Sequence, residues 1–367
     1  MADLKIFTSN IEADALKQID LLLKQDAFTN SKIRIMPDVH VGKGCVIGFT
    51  GTLGDQLIPN IVGVDIGCGI LTLKLHTPNL NLVRLDQVIN KYIPSGFSVH
   101  NEKKVKHTQI KQLRCYNNLK NTKRLEQSIG TLGGGNHFIE VGKDNQDNVY
   151  LMIHTGSRNL GKQVAEYYQS LAFKQYQTNR SQNHNIKEIP KDLTYLEGKS
   201  KADYLHDMDI CQKFASLNRH TIAEIICQHL TDITIIESFE TIHNYIDIKS
   251  NIIRKGAISA KKDELLLIPI NMRDGSILAK GKGNPDWNYS APHGAGRVMS
   301  RSQARKKLSL EDFRKSMSGI YTTSVNKDTI DEAPIVYKPI QEIIDHIGDA
   351  VEIIAVIKPI YNFKASE

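Results

Sequence analysis

The segment that decides the fold runs from Ile33 to Leu75 and reads IRIMPDVHVGKGCVIGFTGTLGDQLIPNIVGVDIGCGILTLKL. Short apolar runs rich in Val and Ile are broken repeatedly by glycine. That texture predicts strands joined by tight glycine turns. Just before it, residues 11–25 (IEADALKQIDLLLKQ) carry helical periodicity with an acidic first turn.

Working outward, residues 100–126 are polar and lysine-rich and are expected to form a surface helical region. VYLMIHTGSRNLGKQVAEYYQSLAFKQYQ predicts a strand, a glycine-containing loop and a long helix. Residues 177–192 read as a surface loop and residues 203–230 as a helix. TDITIIESFETIHNYIDIK reads as a strand leading into a histidine, and ELLLIPINM and SILAKGKG as further strands. Arg297, Arg301 and Arg305 are spaced four apart, which places them on one helix face. Ser309 with Asp312 resembles a capping box, and VEIIAVIKPIYNFKASE is strand-like. There is no internal repeat and no low-complexity segment. Glycines and candidate site residues are spread from 38 to 364, which predicts one intertwined α+β domain over residues 1–367 rather than separable ones.

With 367 residues, 40% apolar and 24% charged, the chain can bury a sizeable core and reads as a soluble globular protein. Its net charge of +7 fits a partner carrying phosphates, although solvated lysine faces give the same figure. The five cysteines (Cys45, Cys68, Cys115, Cys211 and Cys227) are odd in number, widely spaced and without a CxxC pair. That argues against a disulfide framework or a zinc ribbon and favours a reducing, cytoplasmic setting. The N-terminus lacks the pattern of a signal peptide, and no run approaches a membrane span.

Several glycine-rich stretches carry chemistry-bearing side chains. In GVDIGCGI, Asp65 and Cys68 lie three apart, so a carboxylate and a thiolate could reach one metal or a metal pair; a buried Cys beside a turn Asp is the plainer alternative. In GTLGGGNHFIEV, strand alternation would put His137 and Ile139 on one face and Asn136, Phe138 and Glu140 on the other. That would aim a histidine at a metal and an amide and a carboxylate at a ligand, unless the stretch is simply a glycine turn with a surface histidine. In IHTGSRNLG, His154 ends a strand and Arg158 lies in the loop before a helix, which suits phosphate as well as a merely capped helix. His243 in TIHNY is weak alone. His293 in SAPHGAGRVMSR is either a stray histidine in a turn or a reactive side chain in a backbone cradle. His100, His107, His184, His206, His220, His229 and His346 lie in polar or helical segments and receive no role. One Asp, one Cys and three His near glycine loops would make a mixed O/N/S site better suited to two metals than to one structural zinc.

In order along the chain, MPDVHVGKGCVIG, GVDIGCG, GGGNHFIE, IHTGSR, HN after a strand, HGAGRVMSR and a late Lys make the sequence resemble the RNA-splicing ligase RtcB family, from about residue 36 to 364. The resemblance implies an α+β fold with central β-sheets surrounded by helices and a dinuclear metal cleft. It implies joining of an RNA 3′-phosphate or 2′,3′-cyclic phosphate to a 5′-hydroxyl, with GTP and two Mn²⁺ ions. Asp65, Cys68, His137, His154 and His243 fall at metal-ligand positions, with Cys68 bridging the two ions. His293 falls at the histidine that accepts GMP, Arg158 at an essential arginine for RNA or phosphate, and Asp38 at an acidic residue near the metals. Asn136, Glu140, Asn271, Ala295, Gly296, Tyr337 and Lys364 fall at nucleotide-binding positions, Glu140 and Lys364 on guanine.

The sequence departs from the family pattern in places. PINMR, Pro269–Arg273, replaces a glycine-serine loop, and since Ile270 resists a positive φ the loop path is expected to differ. Pro292 precedes HGAGR where Ser or Cys is commoner, and Ile253 replaces a frequent His. The chain is also shorter than many relatives. These departures point to a divergent branch for tRNA or rRNA repair. The protein is separately expected to be cytoplasmic and monomeric, with an archease-like activator as a further partner. Two rivals stand beside the ligase: a metal-dependent cyclic phosphodiesterase or phosphatase acting on RNA ends, and a non-catalytic RNA-end binding protein.

Overall fold

The computed structural model describes residues 2–77, 79–106, 108–184, 186–230 and 233–365; His107 lies outside them. The elements in chain order are β1 (Asp3–Ile6), α1 (Ala13–Leu23), β2 (Lys32–His40), β3 (Ile47–Thr52), β4 (Gly69–His76), α2 (Leu82–Tyr92), α3 (Thr122–Gln127), β5 (Phe138–Lys143), β6 (Val149–Thr155), α4 (Arg158–Gln182), α5 (Gly198–His229), β7 (Thr234–Ile242), β8 (Asn244–Asp247), β9 (Ile252–Lys255), β10 (Ala257–Ser259), β11 (Leu265–Asn271), β12 (Gly275–Gly281), β13 (Ser290–Pro292), α6 (Arg301–Lys307), α7 (Leu310–Ser316), α8 (Ile340–Ile347) and β14 (Val351–Lys364). The mixed α+β architecture expected from the sequence is present.

Three sheets carry the site. One has the order β1-β2-β3-β9-β8, a second is the pair β10-β13, and the third has the order β11-β12-β14-β5-β6-β4-β7. The third sheet curls until its edges meet, where the Leu267 N–H donates to Thr241 Oγ1 at 3.1 Å. β14 changes partner midway, pairing through Ile357 with β12 and from Lys358 with β5. In the first sheet the β2–β3 register breaks between Ile35 and His40. Pro37 lies in that gap, because a residue without an N–H cannot extend the ladder.

Helices α4 and α5 cover one core, and α5 continues over a second. Leu160, Val164 and Tyr168 of α4 and Ile210 and Phe214 of α5 pack with Ile33, Ile35 and Phe49 of the first sheet. Further along α5, Ile222, Ile225 and Ile226 pack with Leu71, Ile139 and Ile153 of the third. One helix therefore serves two cores, and its buried residues include polar ones, Asn218 and Arg219. Among the described residues no helix is long and apolar enough to cross a membrane.

Several local expectations change. Among the described residues of 100–126 there are two single-turn 3-10 segments and the short α3 rather than a helical region. α4 continues to Gln182, so the loop expected from 177 starts later. Arg297 precedes α6 and bridges to Tyr337 instead of sharing the helix face with Arg301 and Arg305. A reciprocal capping box is formed by Ser300 and Gln303, whereas Ser309 caps α7 by accepting from the Asp312 N–H. Pro269, Ile270 and Asn271 belong to β11, and neither Ile270 nor Arg273 has a positive φ. The segment therefore follows a strand path that needs no positive φ at either position. Pro292 ends β13 opposite Ala257, an edge position that tolerates its missing N–H.

Candidate functional site

Three loops converge at one end of the curled antiparallel sheet, where β4 and β5 begin and β6 ends, and each needs glycine for close approach, Gly156 of the third lying against Asp65. Gly67 has φ +73, and a Cβ there would lie 2.8 Å from Gln212 Cα of α5. Gly133 has φ +84, and its Cβ would strike the Arg158 guanidinium at 1.6 Å. From inside α5, Arg219 Nη1 donates to the carbonyls of Gly67 (3.0 Å) and Thr155 (2.8 Å). Asn218 Oδ1 accepts from the Gly130 N–H (2.7 Å) and the Thr131 N–H (3.0 Å). The His243 N–H donates to the Cys68 carbonyl at 3.0 Å. Two buried polar residues of one helix thus set the spacing of segments distant in sequence.

This scaffold brings together all five expected metal ligands. Cys68 Sγ lies 3.3 Å from His154 Nε2 and 3.6 Å from His137 Nε2. Asp65 Oδ2 lies 3.1 Å from His137 Nε2, and the Nε2 atoms of His154 and His243 are 3.4 Å apart. His137 Nδ1 is 2.9 Å from the Leu132 carbonyl and His154 Nδ1 is 3.2 Å from the Asn136 carbonyl. A carbonyl only accepts, so both Nδ1 atoms carry the proton and both Nε2 lone pairs point into the cluster. Lone pairs from nitrogen, sulfur and a carboxylate aimed at one another repel unless cations lie among them. The donor set therefore fits metal. It divides into Asp65, Cys68 and His137 on one side and Cys68, His154 and His243 on the other, with Cys68 common to both.

The surroundings tune these donors. Burial and the neighbouring Asp65 charge push the Cys68 thiol well above its ordinary range. Burial holds His154 and His243 well below theirs, so both imidazoles are neutral, the form that ligates. Cations would reverse the thiol's preference and take it as thiolate.

His293 lies next to this cluster, its ring centroid 4.8 Å from that of His243. Its Nδ1–H donates to Asp38 Oδ2 at 2.6 Å, and the same oxygen accepts the backbone N–H groups of His293 (3.1 Å) and Gly294 (3.2 Å). Asp38 is fully buried and sits in the ladder gap beside Pro37. The clamp fixes the tautomer and leaves Nε2 as the lone-pair nitrogen.

A cleft opens over these groups. It is lined by His154, His243 and His293 and by every expected nucleotide residue: Asn136, Glu140, Asn271, Ala295, Gly296, Tyr337 and Lys364. Phe138 lines it too, so Asn136, Phe138 and Glu140 share the cleft side as expected, with Ile139 on the core side, although β5 itself begins at Phe138. Asn271 reaches the cleft with its amide committed to a turn: Nδ2 donates to Asp274 Oδ2, and Oδ1 accepts from the N–H groups of Arg273 and Asp274. Arg158 does not line the cleft. It starts α4 with φ +56, and its guanidinium donates to Gly96 O (2.8 Å) and Thr131 Oγ1 (3.1 Å).

Three organising residues escaped the sequence reading. Asn218 and Arg219 are two of them, and in a helix with polar residues along its whole length nothing local marks them as buried. The third is Glu332, which is buried and contacts Tyr337 OH (2.6 Å), Arg297 Nη1 (3.2 Å) and Lys364 Nζ. In DTIDEAPIVYKP it looks like a solvated acid, and nothing local distinguishes it. Lys364 therefore pairs with Glu332, while Glu140 accepts from Asn362 Nδ2 at 2.7 Å.

Glu140 Oε1 is buried without a partner among the described residues. Burial pushes this carboxyl from 4.5 up to about 8, against the pull of Asn362 and Lys364. A carboxyl raised in the folded state lowers stability as pH climbs from the unfolded toward the folded pKa, because the unfolded chain ionises first. Glu140→Gln is therefore expected to stabilise the metal-free protein by roughly 3 kcal/mol at pH 7. The gain should vanish below about pH 4.5. Thermal melts across that range would check this, and a gain independent of pH would contradict it.

The family sequence profile described as "RtcB: tRNA-splicing ligase RtcB" matches residues 23–118 and 109–365. Among curated relatives, "RNA-splicing ligase RtcB" of Escherichia coli (strain K12) is 33% identical, covering 99% of this chain and 97% of its own length. "tRNA-splicing ligase RtcB" of Nanoarchaeum equitans is 26% identical, over 90% of this chain and 87% of its own. "RNA-splicing ligase RtcB2" of Escherichia coli (strain ATCC 25922) is 26% identical over the same shares. With the cluster, the clamped histidine and a match that runs almost end to end, the chain belongs to the RtcB family.

Proposed function

We propose that this protein is an RNA ligase that joins a 3′-phosphate or 2′,3′-cyclic phosphate end to a 5′-hydroxyl, using GTP and manganese. The observation that carries the reading is His293, clamped through Nδ1 by Asp38 and lining a cleft that two of the converging ligands, His154 and His243, line as well.

Asp65, Cys68 and His137 would hold one Mn²⁺ and Cys68, His154 and His243 the other. Bound there, the ions supply positive charge against the phosphates being transferred. Glu140 and Lys364 would read the guanine edge, Tyr337 would contact the nucleotide, and Gly296 and Ala295 would leave room beside His293. His293 Nε2 attacks the α-phosphorus of GTP; the P–N bond forms as the bond to pyrophosphate breaks. Asp38 stabilises the imidazolium that results, as a carboxylate does for a histidine in other group-transfer sites. An oxygen of the RNA 3′-phosphate then attacks the same phosphorus and the P–N bond breaks, so GMP caps the RNA end. The incoming 5′-hydroxyl loses its proton, attacks the RNA phosphate and expels GMP. A cyclic end is first opened by water. A hydrolase of RNA ends would need the ligand cluster but neither the Asp38 clamp nor a nucleotide cleft.

The test is to mix the manganese-loaded protein with α-labelled GTP. Label on the protein that is acid-labile and base-stable is expected, followed by joining of 3′-phosphate and 5′-hydroxyl RNA ends. Unlabelled protein that only removes terminal phosphate would overturn the ligase reading. For Asp38→Asn, guanylylation is expected to slow about 10²–10⁴-fold, because the amide cannot hold the tautomer or offset the imidazolium charge. Asp38 is a positioning residue, so KM for GTP should change little; a KM-only effect would refute the role.

A further inference from the structure

The cleft accounts for only one side of the ligand cluster. His154 and His243 line it, whereas Asp65, Cys68 and His137 do not. The Asp65 side chain nevertheless keeps 32% of its surface open. Its carboxylate packs against Gly156, where a Cβ would lie 2.0 Å from Asp65 Oδ1, two residues before Arg158. The cluster therefore has a second, solvent-facing flank.

A basic surface with one protruding aromatic borders that flank. The Leu132 N–H donates to Pro94 O and the Gly96 N–H to Gly133 O, both at 2.9 Å, and Arg158 Nη2 donates to Gly96 O at 2.8 Å. Pro94–Gly96 is thus stitched to the glycine loop that carries His137. The next residue, Phe97, is 88% exposed. Its carbonyl accepts from Arg124 of α3, and Thr108 Oγ1 donates to Glu126 Oε1 of the same helix at 3.0 Å, so Phe97 and Thr108 are both tied to α3. Lys103, Lys104, Lys106, Lys123 and Arg124 are all exposed there, while Glu102 and Glu126 are the only acids in the sequence from 97 to 127. Lys103 pairs with Glu126, and the charge of Lys104 reaches His100, whose ring binds the Gly130 carbonyl at 3.0 Å. A projecting ring among cations is the pattern that takes single-stranded nucleic acid, with bases stacked on the aromatic and phosphates tracked by Lys and Arg.

We infer that Phe97 and the surface formed by Lys104, Lys106, Lys123 and Arg124 are the docking site for a single-stranded RNA end, delivering it to the Asp65 flank of the cluster while the nucleotide occupies the cleft. The inference rests on the RNA-joining reading above. An anionic membrane would meet the same charge, but it has no use for contact with the ligand loops, which favours RNA.

The experiment measures binding of a fluorescent single-stranded RNA with a 3′-phosphate to the manganese-loaded protein across a salt series. Guanylylation by GTP and binding to phosphatidylserine vesicles are followed in parallel. Phe97→Ala is expected to weaken RNA binding roughly tenfold. The triple variant Lys104→Glu, Lys106→Glu, Lys123→Glu should reduce the slope of log affinity against log salt by roughly 2. Guanylylation should stay at the wild-type rate in both. Unchanged RNA affinity and salt slope in both variants would overturn the docking site, as would a loss confined to vesicle binding. RNA binding sensitive to these variants in a protein that never takes GMP would leave the docking site standing and strike the ligase reading alone.

Discussion

His293→Ala is expected to abolish covalent labelling by GTP and to lower RNA joining by at least about 10⁴-fold, the order of loss when a catalytic nucleophile is removed. The variant should keep its fold and metal content, because His293 lies in a turn at the cleft edge and belongs to neither ligand group. It should also retain joining of an RNA supplied with its 3′-phosphate already capped by GMP, since that substrate enters after the histidine has acted. This combination separates a lost nucleophile from a damaged site. Wild-type labelling in the alanine variant would show that another residue accepts GMP. Failure on the pre-capped RNA, with metal content intact, would show that His293 does more than carry the nucleotide.

The second large effect concerns Cys68. Both ligand groups include its sulfur, so Cys68→Ala is expected to weaken both metal sites together, by at least roughly 100-fold in affinity. RNA joining should then be lost at ordinary manganese concentrations. His137→Ala and His243→Ala each touch one group and should spare the other ion. Metal content after dialysis, with circular dichroism to check the fold, distinguishes these outcomes. A Cys68→Ala protein that retains one full equivalent of metal would show that the sulfur serves a single ion. The burial that keeps this thiol protonated without metal adds a second signature. Loading should release a proton near neutral pH, and apparent affinity should rise with pH. Cys68→Ala should abolish that release.

Most of the candidate ligand set was legible in the sequence because nearly every member stands in a short glycine-bearing stretch, where side-chain type and local spacing restrict the choices. The alternation of Asn136, Phe138 and Glu140 could be read because a strand repeats every two residues. What could not be read is pairing at a distance. Asp38 and His293 are far apart in sequence, and their clamp forms where the β2–β3 ladder is interrupted at Pro37 and β13 packs against β2. Glu332 is surface-like in composition, yet it is buried and holds Tyr337 and Lys364. Arg297 was assigned to a helix on spacing alone, and its pairing with Tyr337 outweighed that local pattern. The lysine-rich residues 100–126 failed as a helix for a related reason. Their few buried side chains, Ile110, Leu113, Cys115 and Leu125, are spread through irregular turns instead of repeating along one face.

The partner exchange along β14 bears on how the enzyme comes into being during synthesis. Asn362, which holds Glu140, and Lys364, which lines the cleft, both lie on this strand, paired with β5 from far earlier in the chain. A nascent polypeptide can build α4, α5 and the ligand loops well before β14 arrives, so a partly made protein could gather metal donors without a finished nucleotide cleft. Nucleotide transfer would begin only once that strand has threaded between β12 and β5, a long-range closure of the kind that folds late. Fragments cut short before it should be inert toward GTP, a safeguard against unfinished chains modifying RNA.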